Sequence, residues 1–291
     1  MSFIVFADGT ANLPKSLLGS IQLLPCTYLV DDETHIYEGD IDDFDGHDYY
    51  QQLREGKTVK TSLLNTYLFE EHFKPVLEKG LDVIYISMSS GISGTYQAAK
   101  IAAEELMEEY PDRTVRIIDS RGCGFGNGLL AIYGDMLQKE GLSANEVADI
   151  LDERVPHTCQ YFTVDDLNFL KRTGRVKGST AAIGTVLNIK PILYGTAEGK
   201  IVDCEKVRGR KKSIKAIAQK YAEKVVDADK QLVAISHGDC LEDAQKLAEL
   251  INEIAKPKEL IICQHEPFSG SHVGPGMLGL FFYGKELIIC Q

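Results

Sequence analysis

The sequence predicts an α/β protein of two layered units with mainly parallel sheets, at 1–155 and 156–291, and three observations carry that expectation. Short β-branched runs alternate with helical apolar stripes, the pattern of helices layered on a largely parallel sheet. A length of 291 residues corresponds to about two domains. After a helical stretch near 143–154, a strand pattern at 160–164 opens a second round of the same alternation.

In chain order, residues 3–7 and 21–30 read as strands, and the acidic run DIDDFDGHD at 40–48 precedes a helix at 49–55. No register from Asp40 or Asp42 gives calcium-loop spacing, so that run reads as a solvated loop capping the helix. A helix is expected at 64–79 and an apolar strand at 82–89. A helix at 93–109 then sets Thr95, Ala98, Ala99, Ala102, Ala103 and Leu106 on one face. A strand at 114–120 and helices at 127–139 and 143–154 complete the first unit. In the second, Ile214, Ile217, Ala218, Tyr221 and Val225 form one apolar stripe, and Leu241, Ala244, Leu247, Ala248 and Ile251 form another. Strands at 232–236 and 260–264 flank them. The heptapeptide KELIICQ occurs at 258–264 and again at 285–291, a repeat too short for a solenoid and assigned no function.

Charge and composition exclude several function classes. A net charge of −12 and a pI near 5.1 argue against nucleic acid and anionic membrane surfaces, which need clustered positive potential. Seven cysteines form an odd set with no CxxC pair, and no basic n-region follows Met1, so a reduced, cytoplasmic protein is expected. Nowhere do about 18 apolar residues run together, so no membrane span is expected. The seven histidines are scattered, with His265 and His272 spaced for no metal pair, so no metal is expected.

The chemistry is concentrated in turns. SMSSGISGTYQAA at 87–99 lies where a strand meets a helix, where unpaired N–H groups and the helix dipole favour an oxyanion, although simple helix capping by Ser90 or Ser93 accounts for it too. Its GISG core misses the nucleophile-elbow pattern because Thr95 stands where Gly is required. GCGFGNG at 122–128 follows a strand and opens a helix, but its spacing breaks the dinucleotide fingerprint. Gly56-Lys57-Thr58 lacks the partner glycine of a phosphate loop. His272 begins HVGPG, a rigid turn ahead of the apolar 278–283, where it serves turn structure or a ligand. Basic residues cluster at Lys171, Arg172, Arg175 and Lys177 and at Lys206, Arg208, Arg210, Lys211 and Lys212; solvated loops, a phosphate or an acidic partner would each explain them.

Taken together and in this order, Asp8-Gly-Thr10, Lys60-Thr-Ser62, Ser89-Ser-Gly-Ile-Ser-Gly-Thr-Tyr96, Asp165-Asp-Leu-Asn-Phe-Leu170, Thr173-Gly-Arg-Val176, Leu187-Asn-Ile-Lys-Pro-Ile-Leu193, Lys206-Val-Arg208 and His272-Val-Gly-Pro-Gly276 make a chain that resembles the DegV family of bacterial fatty-acid-binding proteins. The resemblance spans nearly the whole chain. It implies two α/β domains with a long-chain fatty acid, such as palmitate, stearate or oleate, in a tunnel between them. The protein is then a carrier with no catalytic group or metal of its own, which presents the acid to a fatty acid kinase and carries the acyl phosphate onward in lipid metabolism. Carried over by motif, Thr61, Ser62, Ser93, Gly94 and His272 meet the carboxylate, and Arg172, Arg175 and Arg208 meet phosphate or the kinase. The sequence departs from the family at Leu63-Leu64, where Gln-Pro is common, and at Asp8-Gly9, where Asp-Ser is common. The competing reading is a serine hydrolase or phosphotransferase acting through the Ser93 turn.

Overall fold

A computed structural model of the chain describes residues 2–176 and 188–285. Lys177, Leu187 and the second KELIICQ copy beyond Lys285 lie outside the described residues. The elements of the first part are β1 (Phe3–Asp8), α1 (Lys15–Leu18), β2 (Gln22–Leu24), β3 (Cys26–Val30), β4 (Glu33–Tyr37), α2 (Gly46–Arg54), β5 (Val59–Thr61), α3 (Thr66–Glu78), β6 (Asp82–Ser87), α4 (Thr95–Glu109), β7 (Val115–Asp119), α5 (Phe125–Lys139) and α6 (Ala144–Arg154). There follow β8 (Thr158–Thr163), α7 (Asn168–Arg172), β9 (Ile189–Gly195), β10 (Ile201–Arg208), α8 (Arg210–Lys224), β11 (Leu232–His237), α9 (Leu241–Ile254), β12 (Glu259–Gln264), α10 (Pro267–Val273) and β13 (Leu278–Tyr283).

The α/β class is as expected. The first sheet, in the order β2-β1-β6-β7, is parallel throughout. Its strands alternate cleanly between two cores. Val83 and Tyr85 face Phe69, Phe73, Ala99 and Ala102 of α3 and α4, while Ile84 and Ile86 face Phe125, Leu129 and Leu130 of α5. The second sheet has the order β10-β9-β8-β13-β11-β12, with Phe281 turned toward α5 and Leu280 and Phe282 toward α8 and α9. Helix α5 is therefore shared by both sheets, and its glycine-rich start reflects that crowding. A Cβ on Gly128 would stand 2.3 Å from the Ala11 carbonyl oxygen.

Mainly parallel is wrong for the second sheet. Only β11 and β12 pair parallel there, because the hairpin β9–β10 and the return of β13 between β8 and β11 make the other pairings antiparallel. The expected strand at 21–30 is two strands in different sheets. It breaks at Pro25, which has no N–H for a ladder, and β3 joins β4 and β5 in a small antiparallel sheet. His272 sits in the last turn of α10, just ahead of the expected glycine-proline turn, and the first turn of that helix is set by the Glu266 cap and Pro267. The basic residues at 206–212 form the end of β10 and the start of α8 rather than a loop.

Candidate functional site

The turn at 87–99 is organised from behind by Asp8. This carboxylate, fully buried at the end of β1, accepts from the Tyr85 hydroxyl at 2.8 Å, the Met88 amide at 3.1 Å and the Thr10 amide at 3.1 Å, and also bonds the Thr10 hydroxyl. Burial pushes its pKa up and these donors push it back. The serines of the turn then go separate ways. Ser87 donates to the Met88 carbonyl at 2.9 Å, and Ser89 to the Gly199 carbonyl at 2.8 Å. Ser90 donates to Asp119 at 2.6 Å, and Ser93 to the Thr95 hydroxyl at 3.0 Å. The Ser89 bond latches the β9–β10 turn against the first sheet's loops, and Gly199, at φ +69°, has no room for a Cβ, which would fall 1.9 Å from the Ser89 hydroxyl.

A cavity of about 490 Å³ opens beside this turn, within the roughly 300–1,000 Å³ of small-molecule sites. Met88, Ile92, Phe162, Leu170, Phe268 and Met277 make most of its wall apolar. Thr61, Ser93, Gly94, Arg175 and His272 lie together on it, next to the exposed Leu63. Ser62 does not. It is exposed on the loop after β5, where its amide donates to the Thr27 carbonyl at 3.1 Å. Arg172 lines a separate groove with Arg54, Asp165 and Phe169, its guanidinium 4.9 Å from the Phe169 ring centre. Arg208 is exposed on β10 and lines neither hollow. The structure thus brings together five of the eight residues singled out in the sequence.

His272 is the focus of that group. Its Nε2 pairs with the Thr61 hydroxyl at 3.1 Å, and its buried Nδ1 has no partner among the described residues. Burial, with Arg175 and Arg172 nearby, holds its pKa down at about 4, so it is a neutral imidazole at pH 7. Ser93 is paired with Thr95 and not with a histidine, so no nucleophile–base pair forms at the turn.

The opposite character holds along the buried wall, which the sequence reading missed. His265 bonds the Ser236 hydroxyl at 3.0 Å through Nδ1 and the Ser269 hydroxyl at 2.9 Å through Nε2. Gln160 donates to the Arg121 carbonyl at 2.9 Å and accepts from the Cys123 amide at 3.3 Å. Each polar side chain here is answered by protein, so a hydrocarbon can lie against it without stranding a donor. Glu266-Pro267 is a cap followed by an N1 proline, the one sequence signal that would have revealed α10 and its wall residues.

The sequence model described as "uncharacterised protein, DegV family" matches residues 2–285. A DegV domain-containing protein of Clostridium perfringens is 38% identical over 283 residues, 97% of each chain. The chain belongs to the DegV family. Among solved DegV structures, the fatty-acid-binding protein of Bacillus subtilis is 29% identical with a TM-score of 0.83, covering 98% of this chain and 100% of that one. A Thermus thermophilus DegV family protein, solved for its fatty acid binding, is 27% identical with a TM-score of 0.84, covering 98% and 100%. Among the described residues, no helix is long and apolar enough to cross a membrane, and no group of three or more His, Cys, Asp or Glu side chains is arranged to hold a metal.

Proposed function

We propose that this DegV protein binds a long-chain fatty acid, with the carboxylate among Thr61, Ser93 and His272 and the tail along the apolar wall. The observation that carries the reading is the meeting of Thr61, Ser93 and His272 on the wall of a cavity that is mostly apolar. With the hydrogen on Nε2 the His272 ring donates to the Thr61 oxygen, which leaves the Thr61 O–H free for a ligand oxygen. Hydroxyl and imidazole donors can bind a carboxylate, with Arg175 and Arg121 the cations on the cavity wall. The tail contributes most of the affinity, about 0.8 kcal/mol per methylene before ordering and association costs. Ser62, outside the cavity wall, has no contact role in this scheme.

Further parts of the proposal extend beyond the cavity. The protein is a cytoplasmic carrier rather than an enzyme, and it presents the acid to a fatty acid kinase for acyl-phosphate formation. Arg172, Arg175 and Arg208, each at its own place on the structure, are the groups that meet the phosphate or the kinase, and the chain divides into domains at 1–155 and 156–291. Native mass spectrometry of the purified protein tests the binding reading. A mass excess that extraction identifies as a C16–C18 acid is expected, and a bound nucleotide or an empty cavity that rejects palmitate refutes it. For the kinase step, Arg208→Glu should cut phosphoryl transfer to bound acid while leaving lipid affinity unchanged, and unaltered transfer removes Arg208 from the docking face.

A further inference from the structure

The helix that carries His272 is capped by a carboxyl that lies outside the cavity wall. Glu266 is fully buried at the start of α10, accepting from the Phe268 amide at 2.6 Å, from the Ser269 amide at 2.9 Å and from the Ser269 hydroxyl. Its own amide donates to the Asn12 side chain at 2.7 Å, and Asn12, at φ 61°, also donates to the Gln264 carbonyl at 3.0 Å. The start of a seven-residue helix is thereby tied to the loop after β1. That helix sets Phe268 and Ser269 at one end and His272 at the other into the cavity wall. It also packs on β5, whose last residue, Thr61, is the partner of His272.

We propose that Glu266 is a positioning residue for the carboxylate end of the cavity, and that a proton on it releases the His272–Thr61 pair and weakens fatty acid binding. The inference rests on the fatty acid reading of the cavity. Its basis is the direction of the hydrogen bonds. With Glu266 ionised, the Ser269 hydroxyl donates to it, His265 donates through Nε2 to Ser269, and Ser236 donates to His265 Nδ1. With Glu266 protonated, its O–H donates to Ser269, Ser269 turns to His265 Nε2, and His265 donates from Nδ1 to Ser236. One proton taken from solvent reverses the chain, converts His265 to its other tautomer, and removes an acceptor from the α10 cap.

The surroundings place this event in an ordinary pH range. Facing Glu266 are Asp8 at the end of β1, Cys26 and Tyr28 of β3, Tyr37 of β4, Tyr49 and Tyr50 of α2, and Cys123 ahead of α5. Asp8 is the one carboxyl among them, and its negative form repels that of Glu266. Burial, with that repulsion, pushes the Glu266 pKa up to about 7 against the bonds from Ser269 and Phe268. His265 next to it is held at about 3, and His272, with Arg175 and Arg172 facing it, at about 4, so neither titrates between pH 6 and 8.

The test is palmitate affinity from pH 6 to 8, with hexadecanol as the uncharged probe. The acid should bind on the order of tenfold more weakly at pH 6 than at pH 8, the scale of one charge-assisted hydrogen bond, while the alcohol changes little. The sign distinguishes the device from protonation of His272, which would tighten acid binding as pH falls. Glu266→Gln should bind palmitate at every pH as weakly as the wild type does at pH 6. A wild-type profile that is flat, or that falls equally for acid and alcohol, overturns the proposal while leaving the cavity assigned to lipid. Palmitate failing to bind at any pH defeats the lipid reading itself. Should Glu266→Gln not fold, 15N shifts of His265 in the wild type decide: exchange of tautomer centred near pH 7 supports the relay, and a fixed tautomer overturns it.

Discussion

Two sides of one cavity use the same residue types to opposite ends. On the side open to solvent, Thr61, Ser93 and His272 meet beside exposed Leu63, and one imidazole nitrogen is left without a partner. On the buried side, His265 and Ser269 are 3% and 7% exposed, and both nitrogens of the histidine are taken by serine hydroxyls. Histidine with hydroxyls is therefore left incomplete in one place and closed off in the other. The difference is hydrogen-bond saturation, since a saturated network has nothing to offer a ligand and much to lose when cut, whereas an unsaturated one is completed by the ligand. Deleting a side chain of the buried network should strike stability first, and deleting one on the open side affinity alone.

The largest expected effect is on the buried side. His265→Ala removes a buried ring and leaves the Ser236 and Ser269 hydroxyls without their partner, a cavity and two stranded polar groups together. Unfolding stability should fall by about 3–5 kcal/mol in urea titration. A loss below about 1 kcal/mol would show that the network is slack, and the contrast between the two sides would disappear.

The contrast also explains what could be read in the sequence. Helices α4, α8 and α9 follow from apolar stripes, and β1, β6 and β7 from β-branched runs, because burial on a fixed face leaves a periodic trace. The hairpin β9–β10 leaves none, since β10 is only half-buried and carries Asp203, Glu205, Lys206 and Arg208. Thr61, Ser93 and His272 were legible as motifs, but their meeting depends on β5, α4 and α10 converging from positions 32 and 179 residues apart, which no local pattern contains. The buried wall was illegible for another reason. Ser236, His265 and Ser269 look like surface residues until the sheets close over them, and the only local trace is the cap at Glu266-Pro267.

The remaining prediction concerns the turn SMSSGISGTYQAA itself, where four serines are chemically alike and differ only in where their hydroxyls go. Thr61→Ala with Ser93→Ala deletes two hydroxyls from the open side and leaves the apolar wall intact. Each charge-assisted hydrogen bond lost should cost roughly 1.5–3 kcal/mol of palmitate affinity, and less where water replaces the hydroxyl. Hexadecanol should lose much less, because its headgroup carries no charge for those donors to meet. Ser90→Ala is the smallest change and the control. Ser90 lines the same cavity, but it is exposed and its hydroxyl is held at 2.6 Å by Asp119, so removal should cost no more than about 1 kcal/mol of stability and leave palmitate affinity untouched. Calorimetry of acid and alcohol with both variants separates the outcomes. Equal weakening of the two ligands in the double variant would make Thr61 and Ser93 packing groups. A loss of acid affinity in Ser90→Ala would move the carboxylate along the turn, away from Thr61 and His272 and toward Ser90.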